Sequence, residues 1–249
     1  MTHALADRQI LGLTGADTHD FLQGLISNDI AKVDAGPVYA ALLSPQGKYL
    51  ADFFVLREGD GHLLDVAAEL APALLQRLNM YRLRADVQIA PVEMQVAALA
   101  DEVPGAVRDP RDAGMGWRKY GSADGMNRAD YDARRVAALV PETGVELIPN
   151  ESYLLEVGFE RLSGVDFRKG CYVGQEVTAR MKHKTELRKG LARVSVEGPV
   201  PPTGTEILSG DRVAGTLYTT ANGQGIAYLR FDRAIGAMQA GEAVLHRID

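Results

Sequence analysis

Cysteine is almost absent from this chain of 249 residues, which contains a single one, Cys171. One cysteine cannot form an internal disulfide, and it cannot supply the several thiolates of a cysteine-rich metal site. The sequence therefore excludes a disulfide-stapled secreted scaffold and a structural zinc module. It is typical of a protein that works in a reducing compartment.

Long apolar runs are absent as well. No stretch approaches the roughly 18 apolar residues that a membrane-spanning helix needs. Residues 1–8 show neither a basic leader nor the apolar run of a signal peptide. We therefore predict a cytoplasmic protein that has no membrane partner.

Positive charge is scarce: 27 Lys and Arg stand against 33 Asp and Glu, and the formal net charge is −6. A protein whose whole surface binds nucleic acid carries the opposite balance, so we do not expect nucleic acid as a direct ligand. Hydrophobic residues make up 46% of the chain. That content is typical of a folded protein with a core and not of a disordered one.

Several well-known catalytic and metal-binding motifs are missing. The sequence contains no G-x-S-x-G and no H-E-x-x-H, and its five histidines are scattered without metal-ligand spacing. Gln46-Gly47-Lys48 resembles the end of a phosphate loop. However, Leu42 and Tyr49 occupy the positions where that loop needs Gly and Ser or Thr. We predict no metal site.

The pattern of apolar residues predicts an α+β fold. Alternation and Gly- or Pro-containing turns indicate two strand-rich stretches around a helix, which favours an open layer over a doubly wound sheet. The predicted strands are 38–43, 49–57, 62–66, 86–90, 94–99 and 116–120. The predicted helices are one within 9–30, after a short strand, and others at 69–81, 130–140, 152–158 and 174–185.

From Gly190 the pattern changes to short β-like runs that Gly, Pro and Asn interrupt. This spacing predicts a small barrel or sandwich. The predicted strands are 191–196, 205–208, 213–219 and 225–231. We therefore divide the chain into an α+β domain, residues 1–188, and a C-terminal β-barrel domain, residues 189–249.

Cys171 lies in the most informative segment, residues 168–180. Arg168 and Lys169 precede the thiol, and the predicted helix begins three residues after it. Cations and a helix N-terminus both lower the pKa of a thiol. Glu176 and Arg180 are spaced to form an ion pair on one helix face. The alternative is a buried structural cysteine on a glycine-rich turn.

The motif K-G-C-Y-x-G-Q-E-x-x-x-R, residues 169–180, closely resembles the signature of the YgfZ-type folate-binding proteins, also called CAF17-like. They are relatives of the glycine-cleavage T-protein, an aminomethyltransferase, and their eukaryotic members act in mitochondrial iron–sulfur protein assembly. The resemblance extends over most of the chain. It covers Leu13-Thr14-Gly15-Ala16-Asp17, Phe21-Leu22-Gln23, Asn28-Asp29, Leu43-Ser44-Pro45-Gln46-Gly47-Lys48 with Asp52, residues 81–87 and the C-terminal β region.

The resemblance implies an open mixed α/β N-terminal region that binds tetrahydrofolate or a one-carbon-substituted folate. It implies a role in the assembly or repair of iron–sulfur proteins, with those proteins or their assembly machinery as partners. The motif cysteine and lysine matter to function in that family, and by position they are Cys171 and Lys169.

Two departures from the T-proteins put aminomethyl transfer in doubt. T-proteins bear adjacent acidic residues on the hairpin strand, one of them catalytic, whereas here the pair reads Ala51-Asp52. The segment in which T-proteins keep a folate-binding glutamate reads Gly116-Trp117-Arg118, without an obvious acid. The resemblance therefore assigns Cys171, Lys169 and Asp52 as the candidate catalytic residues.

A folate presents a flat pterin with amide-like donors and acceptors and an anionic glutamate tail, so its site needs a carboxylate or amide and basic residues. Asp52 and Asn28 are the candidates for the pterin edge, although such residues also serve as a strand-end Asp and a helix cap. For the tail, residues 161–190 hold eight Lys or Arg against three acids, a local balance of +5. The candidate folate-binding residues are Asn28, Asp52, Tyr172, Gln175, Glu176 and Arg180.

Three roles are open for Cys171: a nucleophile or one-carbon acceptor, a redox-sensitive thiol, or a transient ligand to iron. A single thiolate cannot hold a cluster alone, because clusters usually take four protein ligands. Two alternatives to the accessory role stay open. One is a folate-dependent aminomethyltransferase or demethylase, and the other is a tRNA-modification partner that uses the basic face at residues 180–189.

Overall fold

The computed structural model of the protein describes residues 3–184 and 186–248, without the side chain of Lys184. The described part of the chain forms three β-sheets, one of them a closed barrel, together with four α-helices. Every strand pair in these sheets is antiparallel.

The first sheet has five strands in the order β2-β3-β4-β1-β5. Strand β3, which lies between β2 and β4, faces two cores, since its neighbouring residues Phe53 and Phe54 lie in different buried clusters. A sheet buried on both faces reads as near-continuous apolar runs, as in Val38–Leu43. Its strands are β1 Arg8–Thr14, β2 Val38–Leu43, β3 Tyr49–Glu58, β4 Gly61–Ala67 and β5 Gln88–Val92.

Helices α1 Thr18–Gln23 and α2 Ala71–Arg82 flank this sheet, with a 3-10 helix at Ile30–Ala35. Leu22 and Leu74 join Phe53 in one core, so both helices cover the same face. No helix in the described residues is long and apolar enough to cross a membrane.

The second sheet has three short strands in the order β6-β8-β7 and lies against the opposite face of the first. Helix α3 Arg128–Ala138 begins at Asn127, whose side chain accepts a hydrogen bond from the Asp130 amide. This is the arrangement expected of an N-cap. The strands are β6 Val96–Leu99, β7 Ala106–Arg108 and β8 Trp117–Tyr120, with a 3-10 helix at Ala113–Met115.

The helix predicted at residues 152–158 is wrong. The segment is a series of turns in which the amides of Gly158, Val157 and Phe159 donate to carbonyls three, four and five residues back. Because these spacings are mixed, no regular helix forms. The next helix, α4 Gln175–Lys184, begins one residue after the predicted start.

The C-terminal strands form a closed barrel in the order β10-β11-β12-β9-β14-β13. The pair Leu208 and Gln239 closes it between β10 and β13. The predicted α+β fold with a small C-terminal barrel is confirmed, while the boundary at residue 188 stays a prediction. The barrel strands are β9 Lys189–Glu197, β10 Thr205–Ser209, β11 Arg212–Ala221, β12 Gln224–Arg230, β13 Ala237–Ala240 and β14 Ala243–Arg247.

Buried carboxylates join the barrel to the rest of the molecule. The Glu146 carboxylate accepts hydrogen bonds from the amide and hydroxyl of Thr219 on β11 and from the Arg135 guanidinium on α3. Glu156 accepts from the Tyr228 hydroxyl on β12 at 2.6 Å. The barrel is therefore fixed to α3, one wall of the site described next.

Candidate functional site

Asp52 is a buried carboxylate on β3 that three hydroxyl groups surround. Tyr39 donates to Oδ2 at 2.9 Å, and Tyr49 and Thr143 each donate to Oδ1 at 2.7 Å. Burial, followed by the charge of Asp52, raises the pKa of both tyrosines, so they stay protonated donors. An ionised carboxylate has about four acceptor positions. Hydroxyls of the described residues fill three of them and leave about one.

A cavity of about 270 Å³ opens beside Asp52, between the five-stranded sheet, the N-terminal segment and α3. Phe54, Tyr131 and Thr143 are among its lining residues. Arginine is the residue type that dominates the wall. The lining arginines are Arg8, Arg111, Arg118, Arg128 and Arg135.

Three of the arginines in the wall are held by two buried carboxylates. Asp65 accepts hydrogen bonds from Arg8 at 2.6 Å and from Arg118, and Asp109 accepts two from the Arg111 guanidinium. Burial alone would raise the pKa of Asp65, but the charges of Arg118 and Arg8 outweigh it and lower that pKa. These carboxylates therefore stay ionised, and the guanidiniums stay fixed.

The ring of Phe54 lies under three of these guanidiniums. The guanidinium carbons of Arg118, Arg111 and Arg8 lie 4.0, 4.8 and 6.0 Å from its centre. Cation–π contact at such distances is favourable when the cation is shielded from water. Phe54 therefore supports the guanidiniums from within the core.

The signature cysteine lies elsewhere, in an exposed loop before α4. This loop packs against the β2–β3 turn, where a Cβ on Gly174 would come within 2.4 Å of the Ser44 carbonyl oxygen. Gly174 also has φ +81°, a conformation that glycine adopts freely. Buried Tyr172 and the Gln175 side chain, which accepts from the Tyr172 amide at 3.3 Å, complete the loop.

Lys169 clamps this loop onto the end of α1. Its ammonium donates to the backbone carbonyls of Gln23, Ile26 and Asn28 at 2.6–3.0 Å and stands 5.1 Å from the centre of the Tyr172 ring. Burial lowers the pKa of Lys169 to about 8. The geometry makes Lys169 a positioning residue for the loop that carries Cys171.

Asn28 uses both ends of its amide inside the protein. Its Nδ2 donates to the carbonyls of Tyr39 and Ser163, and its Oδ1 accepts from Lys32 and the Asp29 amide. These bonds fix the segment to which Lys169 is anchored. Contact between Asn28 and a pterin stays a prediction, and the geometry favours a structural use of this side chain.

The structure thus separates the predicted site residues into two groups. Of these residues, all within the described chain, Asp52 alone lines the arginine cavity. Lys169, Tyr172 and Gln175 build the cysteine loop. Glu176 and Arg180 are exposed on α4. No ion pair joins them in the described structure, so the predicted ion pair between them is wrong.

The predicted basic face is also divided. Arg161 donates to the carbonyls of Ala138 and Leu139, while Lys182 pairs with Glu160. Lys189 lies 3.7 Å from Glu156. Three of the eight cations of residues 161–190 are therefore held by partners within the protein.

Sequence reasoning missed the arginines of the cavity. Their partners lie far along the chain: Arg118 and Asp65 are 53 residues apart, and Arg8 and Asp65 are 57 apart. Arginine is normally exposed, and a single sequence gives no sign that these arginines are buried.

Within the described residues, no group of three His, Cys, Asp or Glu side chains could hold a metal ion. The candidate site therefore has two parts: a carboxylate in an arginine-lined cavity and a cysteine loop behind a hairpin.

The whole fold is similar to the crystal structure of aminomethyltransferase T of the glycine cleavage system from Bartonella henselae. The match has a TM-score of 0.77 and 12% identity, and covers 99% of this chain and 86% of that one. This likeness defines the class: a protein with the fold of the glycine-cleavage T-protein.

Sequence comparisons identify the family. A family model described as the CAF17 C-terminal β-barrel domain matches residues 188–248. The mitochondrial iron–sulfur cluster assembly factor IBA57 of Mus musculus is 30% identical over 281 residues, covering 94% of this chain and 78% of the mouse protein. The Homo sapiens protein of that name is 32% identical, with coverages of 91% and 73%. The chain belongs to the CAF17-like family that includes IBA57.

These relatives contradict the cytoplasmic localisation predicted from the sequence, because the mouse and human proteins are both named mitochondrial. That prediction rested on the lack of a signal-peptide pattern in residues 1–8, and such a pattern concerns secretion and not import into mitochondria. The prediction is wrong.

Proposed function

We propose that the protein is a tetrahydrofolate-binding accessory factor that supports the assembly or repair of iron–sulfur proteins. The observation that carries this proposal is the match, at 30–32% identity over more than nine tenths of the chain, to proteins named iron–sulfur cluster assembly factors. The signature around Cys171 supports it. Its partners are then iron–sulfur proteins or their assembly machinery.

The cavity beside Asp52 fits the head group of a folate. It offers about one acceptor position on Asp52 that the described residues leave open, together with fixed arginines. Its volume of about 270 Å³ lies just below the range of roughly 300–1,000 Å³ typical of sites for drug-sized ligands. The pterin would therefore occupy the cavity, and the glutamate tail would extend out of it.

Cys171 supplies the second part of the function. The thiol is exposed, and its loop is held by Lys169 and Gly174, so a partner protein can reach it while its position stays fixed. A thiolate that ligates iron at this place needs further ligands from a partner, because clusters usually take four. The nucleophilic and redox roles stay open beside this one.

The test is functional replacement in human cells depleted of IBA57, with the protein delivered to mitochondria. The wild type should restore the activities of iron–sulfur enzymes, and Cys171→Ala should not. Folate binding by purified Cys171→Ala should match the wild type, because the cavity lining does not include Cys171. Equal rescue by both proteins would count against the proposal.

A folate-dependent aminomethyltransferase or demethylase is the second candidate. The T-protein fold and the buried carboxylate Asp52 favour it. It requires turnover of a methylamine donor with tetrahydrofolate. That turnover should be lost in Asp52→Asn and kept in Thr143→Val, which removes one donor to the carboxylate but leaves the charge. No turnover of any methylamine donor would remove this candidate.

A further inference from the structure

Two large apolar side chains are exposed where helix α2 ends. Leu83 is 87% exposed, and Met80, three residues earlier in the last turn of the helix, is 69% exposed. Both therefore project from the same end of α2. We call residues 77–84 the α2 tip.

Leu83 occupies a strained backbone position. It has φ +46° and ψ −103°, and the Ala85 amide donates to the Arg82 carbonyl at 2.8 Å. Residues 82–85 therefore form a type II′ turn with Leu83 at its first central position, where glycine is preferred because a side chain is disfavoured at positive φ. A leucine that is both strained and exposed has no use within the fold, and strain of this kind clusters at functional sites.

The turn is fixed to the start of α1. The Asp86 amide donates to the Asp17 carboxylate at 2.8 Å, and the Asp86 carboxylate accepts from the Ala16 amide at 3.4 Å. Lys169, which holds the cysteine loop, donates to the Gln23 carbonyl at the other end of α1. The α2 tip and the cysteine loop are therefore anchored to opposite ends of one short helix.

Positive charge accompanies the two apolar side chains. The α2 tip contains Arg77, Arg82 and Arg84 and no acidic residue. Arg82 donates to the Val87 carbonyl, and no ion pair joins any of the three arginines to a carboxylate among the described residues. An apolar anchor beside arginines that lack a carboxylate complements an apolar pocket whose rim carries carboxylates.

We propose that the α2 tip is a docking surface for the partner of the proposed function, an iron–sulfur protein or a component of its assembly machinery, with Leu83 as the anchor. The partner presents an apolar pocket bordered by Asp or Glu. The inference rests on the proposed function and adds a contact outside the cavity and the cysteine loop.

The test is again replacement of IBA57 in human cells, with each variant present at the level of the wild type. Leu83→Gly should restore less than about half of the iron–sulfur enzyme activity that the wild type restores, because truncating an anchor weakens a complex by about tenfold or more. Leu83→Met keeps a large apolar side chain and should restore as much as the wild type. Arg84→Glu should impair the restoration and Arg84→Lys should not, because the rim of the pocket is acidic.

Stability separates docking from a structural role. Leu83→Gly relieves the positive φ, so it should raise the midpoint of thermal unfolding of the purified protein by about 2–4 °C while it lowers the restored activity. Asn222→Gly is the matched control, because Asn222 is also exposed and has φ +51°, in the turn between β11 and β12. This variant should restore as much activity as the wild type.

A photo-crosslink identifies the occupant. With p-benzoylphenylalanine in place of Leu83, the protein should crosslink in mitochondria to an iron–sulfur protein or an assembly protein, identified by mass spectrometry. A crosslink to a second copy of this chain alone would overturn the inference. So would binding of the wild type, but not of Leu83→Gly, to vesicles of phosphatidylcholine and cardiolipin, because the α2 tip would then be a membrane contact.

Equal restoration by Leu83→Gly and the wild type would also overturn the inference. A fall in the thermal midpoint of Leu83→Gly would do the same, because Leu83 would then be structural. If the wild type itself restores nothing, the proposed function fails and this inference fails with it, and that outcome is distinct from a loss confined to Leu83→Gly and Arg84→Glu.

Discussion

The Asp52 cavity and the Cys171 loop are built in opposite ways. The cavity brings together residues from distant parts of the chain, among them Arg8, Asp65 and Arg118, and removes their charges from water. The loop is one contiguous segment whose thiol is exposed. In the first region the positions of the functional groups depend on a buried charge network, and in the second on backbone shape.

This contrast predicts that substitutions in the two regions affect different properties, stability in the cavity and function at the loop surface. A buried ion pair is strongly destabilising to break, because the remaining charge is uncompensated. An exposed side chain contributes little to stability and is free to meet a partner. Substitutions in the cavity should therefore act first on folding, whereas substitutions at the loop surface should act on function alone.

The largest expected effect is that of Arg118→Met. Arg118 holds Asp65 and lies 3.8 Å from Asp109, and all three side chains are 2% exposed or less. Removing the guanidinium leaves two buried carboxylates short of a cation, which should lower the free energy of unfolding by about 3–5 kcal/mol. Urea denaturation at pH 7 measures this change.

The control for this prediction is Lys182→Ala. Lys182 and Glu160 form an ion pair with both side chains more than 40% exposed. Pairs of this kind contribute about 0–1 kcal/mol. If the two variants lost similar stability, the contrast between the buried network and the surface would be wrong.

A smaller effect is expected in the loop, from Gly174→Ala. A Cβ at this position would lie 2.4 Å from the Ser44 carbonyl oxygen and 2.8 Å from the Leu43 Cβ, at φ +81°. The strained backbone should cost about 1–3 kcal/mol. Gly170→Ala is the matched control, because a Cβ there meets nothing within 4 Å. Thermal unfolding of both variants tests this prediction. Equal stability of the two variants would show that the backbone conformation at Gly174 does not fix the loop.

The same contrast explains what the sequence could predict. The strands β2, β3 and β4, helix α2 and the barrel strands β9 to β12 follow from local apolar patterns and turns, which one sequence displays. The short strands β7, β13 and β14, of three to five residues, were missed because so few residues carry no clear alternation.

The cysteine loop could be found from the sequence because its signature is contiguous. The distant residues that hold the loop in place could not be found in this way. Lys169 and the Asn28 carbonyl are 141 residues apart, and nothing local indicates that they meet. The arginines of the cavity could not be predicted for the same reason. Tertiary contacts decided there which charges are buried, so the predicted site combined Asp52 with a loop that the structure places outside its cavity.

Lys169 links stability to pH within the loop. Its pKa is about 8 in the folded protein and 10.5 for an ordinary lysine, so between these values the unfolded chain binds more protons. Stability relative to the non-titrating Lys169→Met should therefore rise as the pH increases from about 8 towards 10.5. Solvent reaches part of this side chain, which limits the gain to about 1 kcal/mol.

Urea denaturation of the wild type and Lys169→Met at pH 7, 8, 9 and 9.5 measures this dependence. The difference between the two proteins should be constant below about pH 8, where Lys169 is charged in both states. A difference that falls as the pH rises would show that the three carbonyls stabilise the ammonium more than burial disfavours it.

The smallest effect on stability is expected at the residue with the most specific sequence signal. Cys171→Ala should change the free energy of unfolding by no more than about 0.5 kcal/mol, because the side chain is exposed. Native wild-type protein should nevertheless take up one equivalent of iodoacetamide, measured by mass spectrometry, and Cys171→Ala none. A thiol that reacts only after unfolding, or a large loss of stability in the variant, would make Cys171 a structural cysteine and remove the contrast between the two regions.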